Sequence, residues 1–247
     1  MNHSYWNSLL RIPKHGVNKY LAEITKRPVK KQHQFLAFVI DGFFPISYST
    51  PMAFRRVSEL AAEPNVKLIA KHLYELELGR HPFIKGNKHQ DVLHCIQFKK
   101  TIESLVRGTN FDKPHPSQYN LLKKLDLENA TLVKALAICD VIEHHAPEII
   151  ICFQDFVAQW QFLTNRGSSE IDRIYLDEHS LTEGGESEDQ HVKLVENMKA
   201  SYSGITESAE YEEMRDLYNQ ICFEHIDIVF SKIISIFQNE KSSVILN

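Results

Sequence analysis

The chain is short of the residues that staple or interrupt small folds. Cysteine occurs four times, at Cys95, Cys139, Cys152 and Cys222, in apolar surroundings and never as a CxxC pair. That pattern excludes a zinc knuckle and a disulfide framework, and it reads as a reduced, cytoplasmic chain with small buried thiols. Glycine and proline are scarce, nine of each in 247 residues. No period-2 run of β-branched residues bounded by turn signals occurs, which speaks against sheet. No apolar run reaches the roughly 18 residues of a membrane span. The first ten residues lack a basic start followed by an apolar core, so no secretory signal is expected. There is no basic excess either. Lys plus Arg number 28 against 32 Asp plus Glu, a net charge of −4, which argues against a general nucleic-acid binder.

What is present is an ordinary globular mix, 43% hydrophobic and 24% charged, read throughout as helix. The expectation is one all-α domain over residues 1–247, with a frayed tail from about 238. A helix is expected from near Lys31, carrying Phe35, Phe38, Val39, Phe43 and Phe44, with kinks or breaks at Pro45 and Pro51. Another covers Val66 to Leu78 and stops at Gly79. A connector over 81–88 leads into a helix from His89 to Val106. The clearest element runs from Leu132 to Trp160, where Leu132, Leu136, Cys139, Glu143, Ala146, Ile150, Phe153, Val157 and Trp160 recur at steps of four and three. This is one helix face, with Pro147 expected to kink it. Further helices are expected over 170–182, 191–202 and 207–237.

Thirteen histidines are many for this length, and three clusters of His and carboxylate stand out. Glu143 lies in the middle of the apolar stripe, where a carboxylate is costly unless paired, protonated or metal-bound. A pairing with Arg or a neighbouring helix would explain it as well as a metal would. His144 and His145 point to other faces and read as boundary histidines. The second cluster is His179, Glu183 and His191. His179 and Glu183 stand four apart and share a helix face about 6 Å apart along the axis, so they could hold one ion. The acidic run from Glu183 through Glu186 and Glu188 to Asp189 reads in itself as a solvated turn. The third cluster is Glu75, Glu77, His81, His89 and His94. Glu77 continues the stripe Val66, Ala70, Leu73, whereas Glu75 continues Leu68 and His72. In isolation this cluster is a helix end and a His-containing loop. Nitrogen and oxygen donors without a cysteine motif suit iron or manganese better than structural zinc.

These residues resemble the haem-oxygenase-like di-iron oxidases and oxygenases, relatives of the TenA and PqqC proteins, over about residues 35–198. The Phe35-Leu-Ala-Phe…Phe43-Phe44 stretch looks like that family's aromatic second helix. His72-Leu-Tyr-Glu-Leu-Glu-Leu-Gly79 is similar to Asn-Leu-Tyr-Glu-Glu-Leu-Gly, whose first Glu is a ligand. His89-Gln-Asp-Val-Leu resembles the next helix start, which carries a His ligand. Glu143-His-His-Ala-Pro147 looks like Glu-x3-Pro with its bridging Glu, and Tyr175-Leu-Asp-Glu-His179 looks like the start of His-x3-Asp-x2-His.

The resemblance implies a haem-oxygenase-like bundle of about seven helices holding two iron ions, Fe/Fe or Fe/Mn, with dioxygen as co-substrate and Glu143 as the shared catalytic ligand. One iron would take Glu75 or Glu77, His89 and Glu143; motif order favours Glu75 and the apolar stripe favours Glu77. The other would take Glu143, His179, Glu183 and His191. Glu188, three before His191, is an alternative to Glu183, and His81 and His94 are alternatives to His89. Phe43, Phe44 and Tyr48 are expected to line the substrate pocket, or to be core aromatics. No Lys follows Glu143 up to Val157, so the self-sacrificing chemistry of some branches is not carried over. The implied partners are a small organic substrate, an external electron donor and a second copy in a homodimer, with neither nucleic acid nor membrane. Two further readings stand beside it. One is a metal-free TenA-like or PqqC-like acid–base enzyme. The other is a non-enzymatic interaction protein whose acidic 183–189 loop is the contact surface.

Overall fold

A computed structural model describes residues 18–80, 92–112, 115–179 and 188–241. They hold ten α-helices and no strand. In chain order these are α1 (Asn18–Ile24), α2 (Val29–Leu60), α3 (Pro64–Glu77), α4 (His94–Ser104), α5 (Asn120–Leu125), α6 (Leu132–Thr164), α7 (Ile174–His179), α8 (Glu188–Ser201), α9 (Ser203–Thr206) and α10 (Ala209–Lys241). The count exceeds the seven expected because short pieces of four to seven residues, α1, α5, α7 and α9, join the longer elements. No helix among the described residues is long and apolar enough to cross a membrane.

Three long helices, α2, α6 and α10, form the centre and pack on one another. Their inner faces supply Phe35, Phe44, Phe54, Leu136, Val157, Trp160, Cys222 and Ile233 to one continuous buried cluster. Gly42 lies where α2 meets α10, and a Cβ there would sit in contact with Val229, 3.4 Å from its Cγ1. The Trp160 indole N–H donates to the Leu105 carbonyl at 3.0 Å and pins α6 to the end of α4.

The expected breaks at proline do not occur. α2 runs through Pro45 and Pro51, and α6 runs through Pro147. A proline nitrogen cannot donate to the carbonyl four residues back. For Pro45 that carbonyl belongs to Asp41, and His225 Nε2 on α10 lies 2.8 Å from it and donates in its place. A tertiary contact thus satisfies the acceptor that the sequence leaves open.

The helix ends follow local chemistry. Thr131 caps α6 by accepting the Lys134 N–H at 3.2 Å, and Asn165 ends it in the left-handed region at φ 51°. α3 closes at Gly79, φ 74°, where the Gly79 and Arg80 amides return to the Leu76 and Glu75 carbonyls at 2.7 and 2.9 Å. Glu77 is thereby the last helical residue of α3, and His94 is the first of α4. The helix expected from His89 begins at His94; residues 81–91 lie outside the described residues.

Candidate metal centre

Five side chains from five helices converge beside α6. Glu77 closes α3, His94 opens α4, Glu143 sits mid-way along α6, His179 closes α7, and His191 lies in the first turn of α8. Glu77, His94, Glu143 and His191 are all buried. One donor atom from each of Glu77, Glu143 and His191 lies within 4.8 Å of the others, close enough to hold a metal ion. His191 Nδ1 is 3.5 Å from Glu143 Oε2, and His94 Nδ1 is 3.4 Å from Glu77 Oε2. The His94 and His179 rings meet edge-on at 4.6 Å. The order round the cluster is therefore His179, His94, Glu77, Glu143, His191.

The local sequence explains each placement. Val66, Ala70, Leu73 and Leu76 bury one face of α3, and Glu77 lies on that face. Glu75, two residues earlier, projects outward, pairs with Arg80 at 2.8 Å and stands outside the cluster. Glu143 follows the buried Leu136 and Cys139 on α6.

The electrostatics favour ligand forms. His179 Nδ1 is 2.5 Å from the Tyr175 carbonyl, which can only accept. The proton is thus on Nδ1, and Nε2 carries the lone pair a metal requires. Burial, and then the neighbouring His94, hold the His179 imidazolium down to about 3, so the ring is neutral at ordinary pH. Glu143 Oε2 is buried and receives no hydrogen bond from the described residues. An acceptor left so is costly by itself, and a cation would satisfy it. Glu77, Glu143 and His191 together offer nitrogen and oxygen donors of the kind that hold a metal ion.

A cavity of about 70 Å³ lies against this cluster, and Glu77, His94, Glu143 and His179 form part of its wall. Phe43 lines it, with Ile46, Phe98 and Phe153. Phe44 and Tyr48 are not in its wall. Phe44 is buried and stacks between Tyr48 and Tyr119, at 6.1 Å from each ring. Tyr175, His145, Tyr218 and Cys222 also line the cavity. The sequence marked Cys222 as a buried thiol, but nothing in the spacing of Tyr218 marked it. His89, His81, Glu183 and Glu186 lie outside the described residues, as do the side chains of Glu188 and Asp189.

One turn before Glu143, a second charged group binds the helices together. Asp140 is fully buried. Its carboxylate takes Lys199 of α8 at 2.9 Å, Arg215 of α10 at 2.8 Å and His144 at 3.0 Å. Burial alone would raise the Asp140 carboxyl, but these donors hold it well below the usual range. Asp140, His144 and Glu196 also come close enough to hold a cation, yet Lys199 and Arg215 already supply the positive charge there. We read it as an ion-pair network.

Compared with family models, curated proteins and solved structures, the chain matches none.

Proposed function

We propose that the chain is a non-haem di-iron oxidase or oxygenase of the haem-oxygenase-like kind, using dioxygen to oxidise a small organic substrate. The observation that supports this reading most is the buried Glu77–Glu143–His191 group, extended by His94 and His179, on the wall of a cavity. Glu77 and His94 would hold one iron and His191 the other, with Glu143 shared between them. His179, its tautomer fixed by Tyr175, adds a further nitrogen beside His94. Iron held there would supply what no side chain can, the binding and reduction of dioxygen. The protein's own part is to keep these donors deprotonated and oriented, and to hold the substrate against them. Phe43, Phe98 and Phe153 give the cavity an apolar side beside these donors. An external donor would provide the remaining electrons.

The test begins with anaerobic ferrous iron added to the metal-free full chain, followed by a metal count and then measured dioxygen uptake. Two irons per chain and uptake of dioxygen are expected. Glu143→Ala should bind one iron or none, and retention of two would overturn the ligand assignment. Failure of the folded wild-type chain to bind iron would overturn the di-iron reading.

The Glu77–His94 and Glu143–His191 pairs could also serve a metal-free acid–base enzyme. Nucleophilic thiol chemistry does not suit that alternative. Burial pushes the Cys222 thiol up to about 12 and raises Cys139 well above its ordinary value, so both stay protonated.

A further inference from the structure

α8 delivers His191, yet it has a narrow apolar face with which to hold itself in place. Among its described side chains, His191, Val195 and Met198 are the buried ones, and Leu194 packs half-buried beside them. The buried positions recur at steps of four and three and form a single stripe. Such a stripe sets which face of α8 turns inward. It constrains the position of the helix along α6 much less.

Charge supplies that second constraint. Lys199 lies eight residues beyond His191 on α8, about 12 Å along the axis. Its Nζ donates to Asp140 Oδ1 of α6 at 2.9 Å. Asp140 stands one turn before Glu143, whose Oε2 is 3.5 Å from His191 Nδ1. α8 thus meets α6 at two polar points, His191 against Glu143 and Lys199 against Asp140. A shift of α8 that carried His191 away from Glu143 would also pull Lys199 from Asp140. The Lys199 ammonium bonds Glu196 of its own helix at 2.8 Å as well, which holds the long side chain in one geometry. Asp140 is fully buried, so salt screens this pair less than it screens an exposed one. The other oxygen of the same carboxylate serves a different helix. Asp140 Oδ2 lies 2.8 Å from Arg215 Nε of α10.

Building on the reading that Glu143 and His191 hold metal, we propose that Asp140 and Lys199 are positioning residues, whose ion pair keeps α8 where His191 faces Glu143. Arg215 ties α6 to α10 through the same carboxylate and has no part in that placement.

The test compares Lys199→Met with Arg215→Met in the full chain. Each removes one cation from the same buried carboxylate and keeps an aliphatic stem. A network with a structural role alone would respond alike to both. Ferrous iron is added anaerobically to each metal-free variant and competed with a chelator. Hydrogen exchange of the α8 amides is followed in the metal-free samples, and folding is checked by circular dichroism. Lys199→Met should weaken the iron assigned to His191 about tenfold, the low end of what removing a group that supports a metal ligand costs. It should also speed exchange across α8. Arg215→Met should leave both near the wild type, and Lys199→Arg should restore them. Lys199→Gln serves as the milder change should Lys199→Met not fold. Equal effects of the Lys199 and Arg215 variants, or none from Lys199→Met, would overturn the positioning role, while two irons in the wild type would keep the di-iron reading. A folded wild-type chain that binds no iron would overturn the di-iron reading, and the exchange of α8 in the two variants would still decide whether Lys199 places the helix.

Discussion

A single residue's worth at this site depends on which way it faces. Glu75 and Glu77 are two apart on α3, so their side chains diverge by more than half a turn. Glu75 is in an exposed pair with Arg80, and such pairs contribute only about 0–1 kcal/mol. Glu77 is buried beside His94 and Glu143. Glu75→Gln should leave iron stoichiometry unchanged, whereas Glu77→Gln should lower it. Metal counts on the two variants decide the matter, and the reverse result would place the ligand on the outer face.

Asp140 is the matching case for stability. Removing its charge strands Lys199 and Arg215, whose side chains keep 20% and 34% exposure. Breaking a fully buried pair costs about 3–5 kcal/mol, so with partners this exposed Asp140→Asn should cost about 2–3 kcal/mol in a urea titration. The pH dependence has a definite sign. The folded carboxyl titrates below the unfolded one. Its stabilisation is therefore present above the unfolded value of about 3.9 and is lost as pH falls below that. Wild-type stability should decline below pH ~4 more steeply than that of Asp140→Asn. Parallel curves would show that the network carries no linkage.

At the scale of elements, the sequence spoke clearly where periodicity was long and local. The four-and-three stripe from Leu132 to Trp160 is realised as α6, and Gly79 ends α3 in the left-handed conformation its stop signal implies. Pro45 does not end α2, because another helix meets its cost. Nothing near Pro45 reveals that His225, far along the chain, will take the Asp41 carbonyl. His225→Ala should therefore cost about 1 kcal/mol, one net hydrogen bond, with any loss of its edge-on contact with Tyr119 in addition. Thermal unfolding measures this, and an unchanged midpoint would mean that water replaces the imidazole. The same principle governs the candidate site. Glu143 could be marked from its own helix, since a carboxylate on an apolar stripe is a local anomaly. The apolar stripe of α3 picked out Glu77 as well, but the pairing of Glu77 with His94 rather than another histidine could not be read. It depends on how the end of α3 meets the start of α4, a tertiary distance that neither segment encodes alone. Tyr218 could not be assigned to the cavity for a related reason, because its place there depends on how α10 packs against α2.

For the whole molecule, five helices each deliver one donor to the cluster, and between them they span the chain from Glu77 to His191. A cation there would tie α3, α4, α6, α7 and α8 into one unit. Ligands so far apart in sequence are not assembled in the unfolded chain, so metal would bind the native state alone and stabilise it by mass action. At free metal a hundredfold above the dissociation constant the gain is about 2.7 kcal/mol. For a chain of this length that raises the melting temperature by about 5–10 °C. Anaerobic ferrous iron or manganese should produce this rise, a chelator should reverse it, and Glu143→Ala should remove it. A melting temperature that ignores metal while the wild-type chain still binds two ions would mean that the ions bind the folded and unfolded chain alike, rather than where the five helices meet.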